Sequence, residues 1–279
     1  MKTITDKTVK LFEEYLYEEE RSKNTIEKYI RDIRFFRDWL RERCIDKSAV
    51  VEYKKELCQR YAVKSVNSML SSVNAFFIFM NRHDLKVKTL KVQRRIFADK
   101  SKELTKAEYE RLLAAAKDRK NDRLYYLMQT IASTGLRVSE IKYVTCEAVR
   151  LGQAVISCKG KIRQVFLPPK LCKMLRAYIK KVNIKNGSVF ITRNGKALDR
   201  SAIWKMLKDL CESAGVDKSK VFPHNFRHLF ARTFYSLQKD IVRLADILGH
   251  SSIETTRIYT MESGIEHRKQ LQKLGLLRC

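Results

Sequence analysis

The apolar positions of the first ninety residues recur at helical spacing. Ile26, Tyr29, Ile30, Ile33, Phe36 and Leu40 share one face of a helix, with Arg31, Arg34 and Arg41 off it. The same period predicts helices from about Asp6 to Glu20, Ala49 to Arg60 and Val63 to Asn81. Asn24 and Glu27 read as a capping box for the second of these. No Gly or Pro interrupts the first hundred residues, which fits a compact unit of four or five helices. The pattern then lapses in the basic stretch KVKTLKVQRRIFADKSKE, which reads as a linker. It resumes at Thr105 and Glu108, a second capping box, and runs on to Thr134, where Gly135 breaks it.

Leu136-Arg137-Val138-Ser139-Glu140-Ile141 begins another helix, and beyond it the period changes. Gln153–Ser157 and Arg163–Leu167 alternate as strands around Lys159-Gly160-Lys161, a hairpin signal. Val189-Phe190-Ile191 suggests one more strand before the turn Asn194-Gly195. Helices follow at about Pro169–Val182, Arg200–Ser213, Pro223–Leu237, Ile241–Leu248 and Ser252–Tyr259, then an amphipathic tail, Gly264–Leu277. The expected fold is mainly α with a small β-sheet. Its divisions are a helical domain over 1–92, a basic linker over 93–103 and an α+β domain over 104–279.

Charge changes the picture most. Fifty-eight Lys and Arg stand against 31 Asp and Glu, a formal net charge of +27. Both domains share the surplus, as expected of a protein gripping a polyanion from two sides; a generic basic protein is the bland alternative. No apolar run is long enough to span a bilayer, and the acidic N-terminal stretch lacks the core of a signal peptide. The seven cysteines show no CxxC pair, which points to reduced thiols and a cytoplasmic, nucleoid-associated protein.

Candidate chemistry is concentrated between Pro223 and Tyr259. His224 and Arg227 lie three apart on one helix, so they share a face. His250 follows a glycine at a helix end, and Tyr259 comes nine residues later. Two guanidiniums, Arg137 and Arg227, suit a phosphodiester, because each forks onto phosphate oxygens and keeps its proton. For each, the bland reading is a solvated cation. Tyr259 sits on a polar segment that Ser251 and Glu254 cap, which distinguishes it from an ordinary core tyrosine. His224 and His228 have the i, i+4 spacing of a zinc helix. The residue after His224 is Asn225, however, and no third ligand is evident, so no metal is expected. No GxxxxGK[ST] motif is present and no cofactor is expected.

Thr134-Gly-Leu-Arg-Val-Ser-Glu, His224-x-x-Arg227, Leu248-Gly-His250 and Tyr259, in this order and spacing, resemble the catalytic domain of the tyrosine recombinase (phage integrase) family, in its Xer-like, transposon or phage branches. The resemblance spans about 104–270. The helical N-terminal part is similar in character to the family's core-binding domain. The resemblance implies a site-specific DNA recombinase that cuts and rejoins DNA through a 3′-phosphotyrosyl bond, without metal or ATP. The catalytic set it implies is Tyr259, Arg137, Lys159, His224, Arg227 and His250. Lys159 would be the general acid on the hairpin, with Lys161 a rival two residues away. Glu140 would orient the arginines. Double-stranded DNA carrying a specific site is the implied partner, bound by a homo-oligomer, a tetramer on paired sites, to which the tail would dock. A type IB topoisomerase and a non-catalytic DNA-binding protein are the alternatives.

Overall fold

The computed structural model describes residues 3–41, 43–91, 100–158, 161–259 and 272. The chain divides into two compact units, 1–94 and 95–279. The described residues are mostly helical, with one two-stranded antiparallel sheet.

Four helices build the first unit: α1 (Asp6–Glu18), α2 (Lys23–Leu40), α3 (Lys47–Arg60) and α4 (Val63–Phe79). Thr5 caps α1 by accepting from the Thr8 amide, and Asp46 caps α3 by accepting from the Ala49 amide. The start of α2 differs from the capping box expected at Asn24. Ser22 is the cap residue, its hydroxyl is taken up by Thr25, and Asn24 lies inside the first turn. The predicted face of α2 is the buried one, with Ile33 and Phe36 fully enclosed. Phe12 and Phe76 meet edge-to-face at 5.2 Å. Each such ring contributes about 1.5–3 kcal/mol by leaving water.

A charged group also lies in this core. Asp32 is 4% exposed, accepts from the Ser72 hydroxyl at 2.7 Å, and pairs with Lys28 at 2.6 Å. The pair lies in the wall of an open groove of about 570 Å³, lined by Lys28, Arg31, Lys64, Phe35 and Tyr61 among others.

The second unit opens with α5 (Lys106–Asp118), whose Thr105–Glu108 capping box forms in both directions. Next is α6 (Asp122–Thr134), closed by Gly135 at φ +66°. A Cβ there would lie 2.5 Å from the Phe230 ring, so the glycine serves both the left-handed turn and close packing. The segment after Gly135 forms a 3-10 helix, Val138–Tyr143, in place of the regular helix expected from Leu136. Helix α7 (Cys146–Leu151) leads into β1 (Gln153–Cys158) and β2 (Lys161–Phe166). These pair from Gln153↔Phe166 to Cys158↔Lys161.

The third strand does not form. Val189-Phe190-Ile191 contributes only isolated bridges at its edges, Thr145↔Ser188 and Ile191↔Ala197. Burial of Val189 and Phe190 explains the misleading apolar run. Helices α8 (Pro169–Val182), α9 (Arg200–Leu210), α10 (Pro223–Gln238), α11 (Ile241–Leu248) and α12 (Ile253–Arg257) follow among the described residues. No helix among the described residues is long and apolar enough to cross a membrane. The expected linker falls largely, and the amphipathic tail almost entirely, outside the described residues.

Candidate active site

Helix α10 starts at Pro223, whose fixed φ suits the first helical position and whose missing N–H would go unused there. Its first turns carry His224, Arg227 and His228 on one face. Arg227 is 1% exposed, unusual for a guanidinium. It donates to the Gly135 carbonyl, to the Leu248 carbonyl at 2.8 Å and to His250 Nε2 at 2.8 Å. No carboxylate among the described residues forms a salt bridge with it, and its Nε is buried without a hydrogen-bond partner. Burial and then the Arg137 charge push the guanidinium down to about 10, partly offset by the neighbouring Tyr259 hydroxyl.

Arg137 approaches from the other side, just beyond the Gly135 turn. Its side chain is 40% exposed and bonds Glu140 Oε1 at 3.0 Å. Glu140 is buried, and its Oε2 accepts from the Arg137 amide at 2.8 Å and from Arg163 at 2.8 Å. The orienting role expected of Glu140 therefore has a geometric basis.

His250 follows Gly249, which closes α11 at φ +63°. Arginine can only donate, so Nε2 of His250 holds the lone pair facing Arg227. The proton sits on Nδ1, bonded to Thr256 Oγ1 at 2.8 Å. Desolvation, then the charges of Arg227, Arg137 and Arg163, hold the His250 pKa down at about 4. The ring is neutral at physiological pH. His224 lies exposed at the mouth of the site. Desolvation by the groups packed around it, followed by the charges of Arg227, Arg137 and Arg200, lowers its pKa.

Tyr259 departs from expectation. Its segment is polar, yet Tyr259 is 4% exposed and buried with Ala231, Leu244 and Leu248. Glu254, Thr255 and Arg257 are exposed, while Thr256 and Tyr259 turn inward, the tyrosine into that small cluster. Ser252, not Ser251, caps α12, accepting from the Glu254 amide. The Tyr259 ring stacks on His250 at 6.0 Å between centroids and meets His228 edge-on at 4.6 Å. His228 in turn contacts His224 at 4.6 Å. Among the described residues, no group of three or more His, Cys, Asp or Glu is placed to hold a metal.

The fold thus brings Arg137, Arg227, His224, His250 and Tyr259 to one place. Lys159 lies outside the described residues, between the ends of β1 and β2. Three neighbours are not apparent from sequence: Arg163, His228 beside the tyrosine, and Thr256, which fixes the His250 tautomer. Only His228 carries a signal, its helical spacing from His224, and that spacing points first to zinc.

The chain is similar to known proteins over most of its length. The chain is 27% identical to the tyrosine recombinase XerA of Pyrococcus furiosus, over 99% of this chain and 96% of the relative. It is 27% identical to XerD of Vibrio cholerae, over 90% and 89%. A crystal structure of XerA recombinase superposes with a TM-score of 0.54 at 25% identity, covering 99% of this chain and 100% of that one. A lambda integrase dimer bound to a COC′ core site shares the fold at TM-score 0.75 and 16% identity, covering 93% and 96%. The phage integrase N-terminal SAM-like domain matches residues 9–84. The phage integrase family model itself matches residues 102–264, more than half of the chain, and the protein belongs to that family.

Proposed function

We propose that the protein is a site-specific DNA recombinase in which Tyr259 attacks a DNA phosphate, forming a 3′-phosphotyrosyl bond and freeing a 5′-hydroxyl. The incoming 5′-hydroxyl of a partner strand reverses the step, so the bond energy is conserved and no ATP is consumed. The observation that carries this reading is Arg227, a buried cation without a bonded carboxylate. A charge kept from water with no carboxylate bonded to it, only the more distant Glu140, is costly, and a phosphate entering beside it relieves that cost. Arg137, half-exposed and held by Glu140, supplies the second fork onto the non-bridging oxygens. Charge develops there in the transition state, which is where such donors accelerate reaction.

The neutral His250 ring lies against Tyr259, and His224 sits at the mouth. His250, with Nε2 unprotonated, is placed to handle the phenol proton, while His224 hydrogen-bonds the phosphate. Lys159 protonates the leaving 5′-oxygen, with Lys161 its rival. In the first unit, the groove lined by Lys28, Arg31 and Lys64 supplies cations and flat rings suited to a DNA backbone. The protein acts as a tetramer on paired sites in the cytoplasm, at the nucleoid. A topoisomerase of the same chemistry is less favoured, because the relatives are named recombinases.

The test is a nicked suicide substrate, which traps the covalent adduct. Parent protein is expected to yield a denaturation-resistant DNA complex, and Tyr259→Phe to bind DNA equally well without forming it. An adduct with the Phe variant would refute the assignment.

A further inference from the structure

Three consecutive carbonyls at the end of α11 accept from three different guanidiniums. Arg163 reaches Ile247, Arg227 reaches Leu248 at 2.8 Å, and Arg137 reaches Gly249 at 3.4 Å. A helix C-terminus has unpaired carbonyls and a negative partial charge, so it can hold cations. Two of the three arginines face the proposed phosphate. The third, Arg163, has no part in the chemistry described so far.

We propose that Arg163 is a positioning residue that fastens β2 to Glu140 and to the end of α11, and so holds Arg137 and His250 in register with the scissile phosphate. The inference rests on the recombinase reading and adds a residue to it.

The placement of Arg163 is the first support. It pairs in register with Ile156, 1% exposed, on the buried face of the hairpin. Simple alternation would put apolar side chains on that face. Ile162 and Phe166 instead stand 75% and 74% exposed while Arg163 points in, its side chain 19% exposed. Turning a guanidinium inward is tolerated only where acceptors await it, and here they are Glu140 and the Ile247 carbonyl.

Glu140 is the second support. Its carboxylate spans two arginines, one on each oxygen, and is 3% exposed. Without Arg163 one oxygen loses its cation, and only the Arg137 amide is left to fix the rotation that presents Oε1 to the Arg137 guanidinium. Gly249 is the third support and is independent of the other two. A Cβ there would lie 2.6 Å from Arg163 Cδ and 2.7 Å from its Nε, so the residue before His250 is shaped to admit this side chain. Arg163 bonds Glu140, which holds Arg137, and Ile247, three residues before His250, so its influence passes through Arg137 and His250.

The experiment compares two scissile groups in single-turnover cleavage by the full chain. One substrate carries the ordinary phosphate, the other a methylphosphonate, which lacks one non-bridging charge and asks less of Arg137. Arg163→Met is expected to slow phosphate cleavage by about 10²-fold, the cost of a small misplacement. On the methylphosphonate the loss should shrink to about tenfold or less, as a transition-state effect requires. Arg163→Lys, with one donor group in place of a fork, should recover part of the rate. Thermal unfolding and DNA affinity are measured in parallel; if the Met variant does not fold, the Lys variant carries the same two-substrate ratio. Equal slowing on both substrates would mean a general loss of structure and would overturn the proposal. Parental rates in the variants would do the same while leaving the recombinase reading intact. If the parent itself forms no adduct at Tyr259, both fall.

Discussion

The His250 environment makes a quantitative claim about acid. Nε2 accepts from Arg227, so a proton there would set two donors against each other beside a buried cation. The folded pKa is held at about 4 against an ordinary value of 6.5. A depressed base is neutral when folded and takes up its proton first in the unfolded chain. Its contribution to stability is therefore complete above about pH 6.5 and is lost as pH falls toward 4. The full shift corresponds to roughly 3 kcal/mol. Solvent contact at the ring halves that, to about 1–2 kcal/mol. In a unit of this size each kcal/mol moves the melting temperature by about 2–4 °C. His250→Gln removes the titration while keeping an amide that can accept from Arg227. The melting temperatures of parent and variant are measured from pH 7.5 to 4.5. The parent's advantage is expected to shrink by roughly 2–8 °C across that range. His228, also pushed down to about 4 chiefly by desolvation, is present in both proteins and cancels. A difference that stays constant with pH would refute the tautomer and the burial assigned to His250.

Arg137→Ala and Arg227→Ala should both cut adduct formation by about 10²–10³-fold. Arg227→Ala should lose more stability than Arg137→Ala, because it strands the Gly135 and Leu248 carbonyls at about 1–3 kcal/mol each, whereas Glu140 keeps Arg163 when Arg137 is removed; equal stability losses would contradict the assigned burial. A substrate with sulfur as the bridging 5′ atom leaves without a proton, so it should rescue Lys159→Ala and not Lys161→Ala. Rescue of the second instead would move the acid along the hairpin. Arg31→Ala with Lys64→Ala should weaken DNA binding and reduce its salt slope by about 2, since each cation neutralises roughly one phosphate. An unchanged slope would exclude that groove from the DNA-binding surface.

Much of this is legible in the sequence because period and motif agree. The α2 stripe from Ile26 to Leu40 turns inward as its spacing demands, and Thr105 with Glu108 caps as the residue types dictate. The motif residues can be named because their order along the chain is itself the signal. What stays hidden depends on partners far away in sequence. Arg163 looks like a solvated strand cation until Glu140 and Ile247, 23 and 84 residues away, are placed beside it. Val189 and Phe190 look like a strand because burial and strand propensity favour the same residues. Tyr259 misleads for a related reason. Local polarity describes the neighbours of a side chain along the chain, whereas its burial is decided by α10 and α11.

That last placement constrains how the sequence can change over time. The cluster around Tyr259 has only four buried members among the described residues, Ala231, Leu244, Leu248 and the tyrosine itself. A cluster so small has little room to compensate a lost or added methylene. Drift at Ala231 or Leu244 would therefore be filtered twice, once through folding and again through the reach of the phenol. Ordinary core positions trade volume among many neighbours, but here a conservative change such as Leu244→Ile would shift the ring of the proposed nucleophile. Selection on packing and selection on turnover would act on the same few atoms.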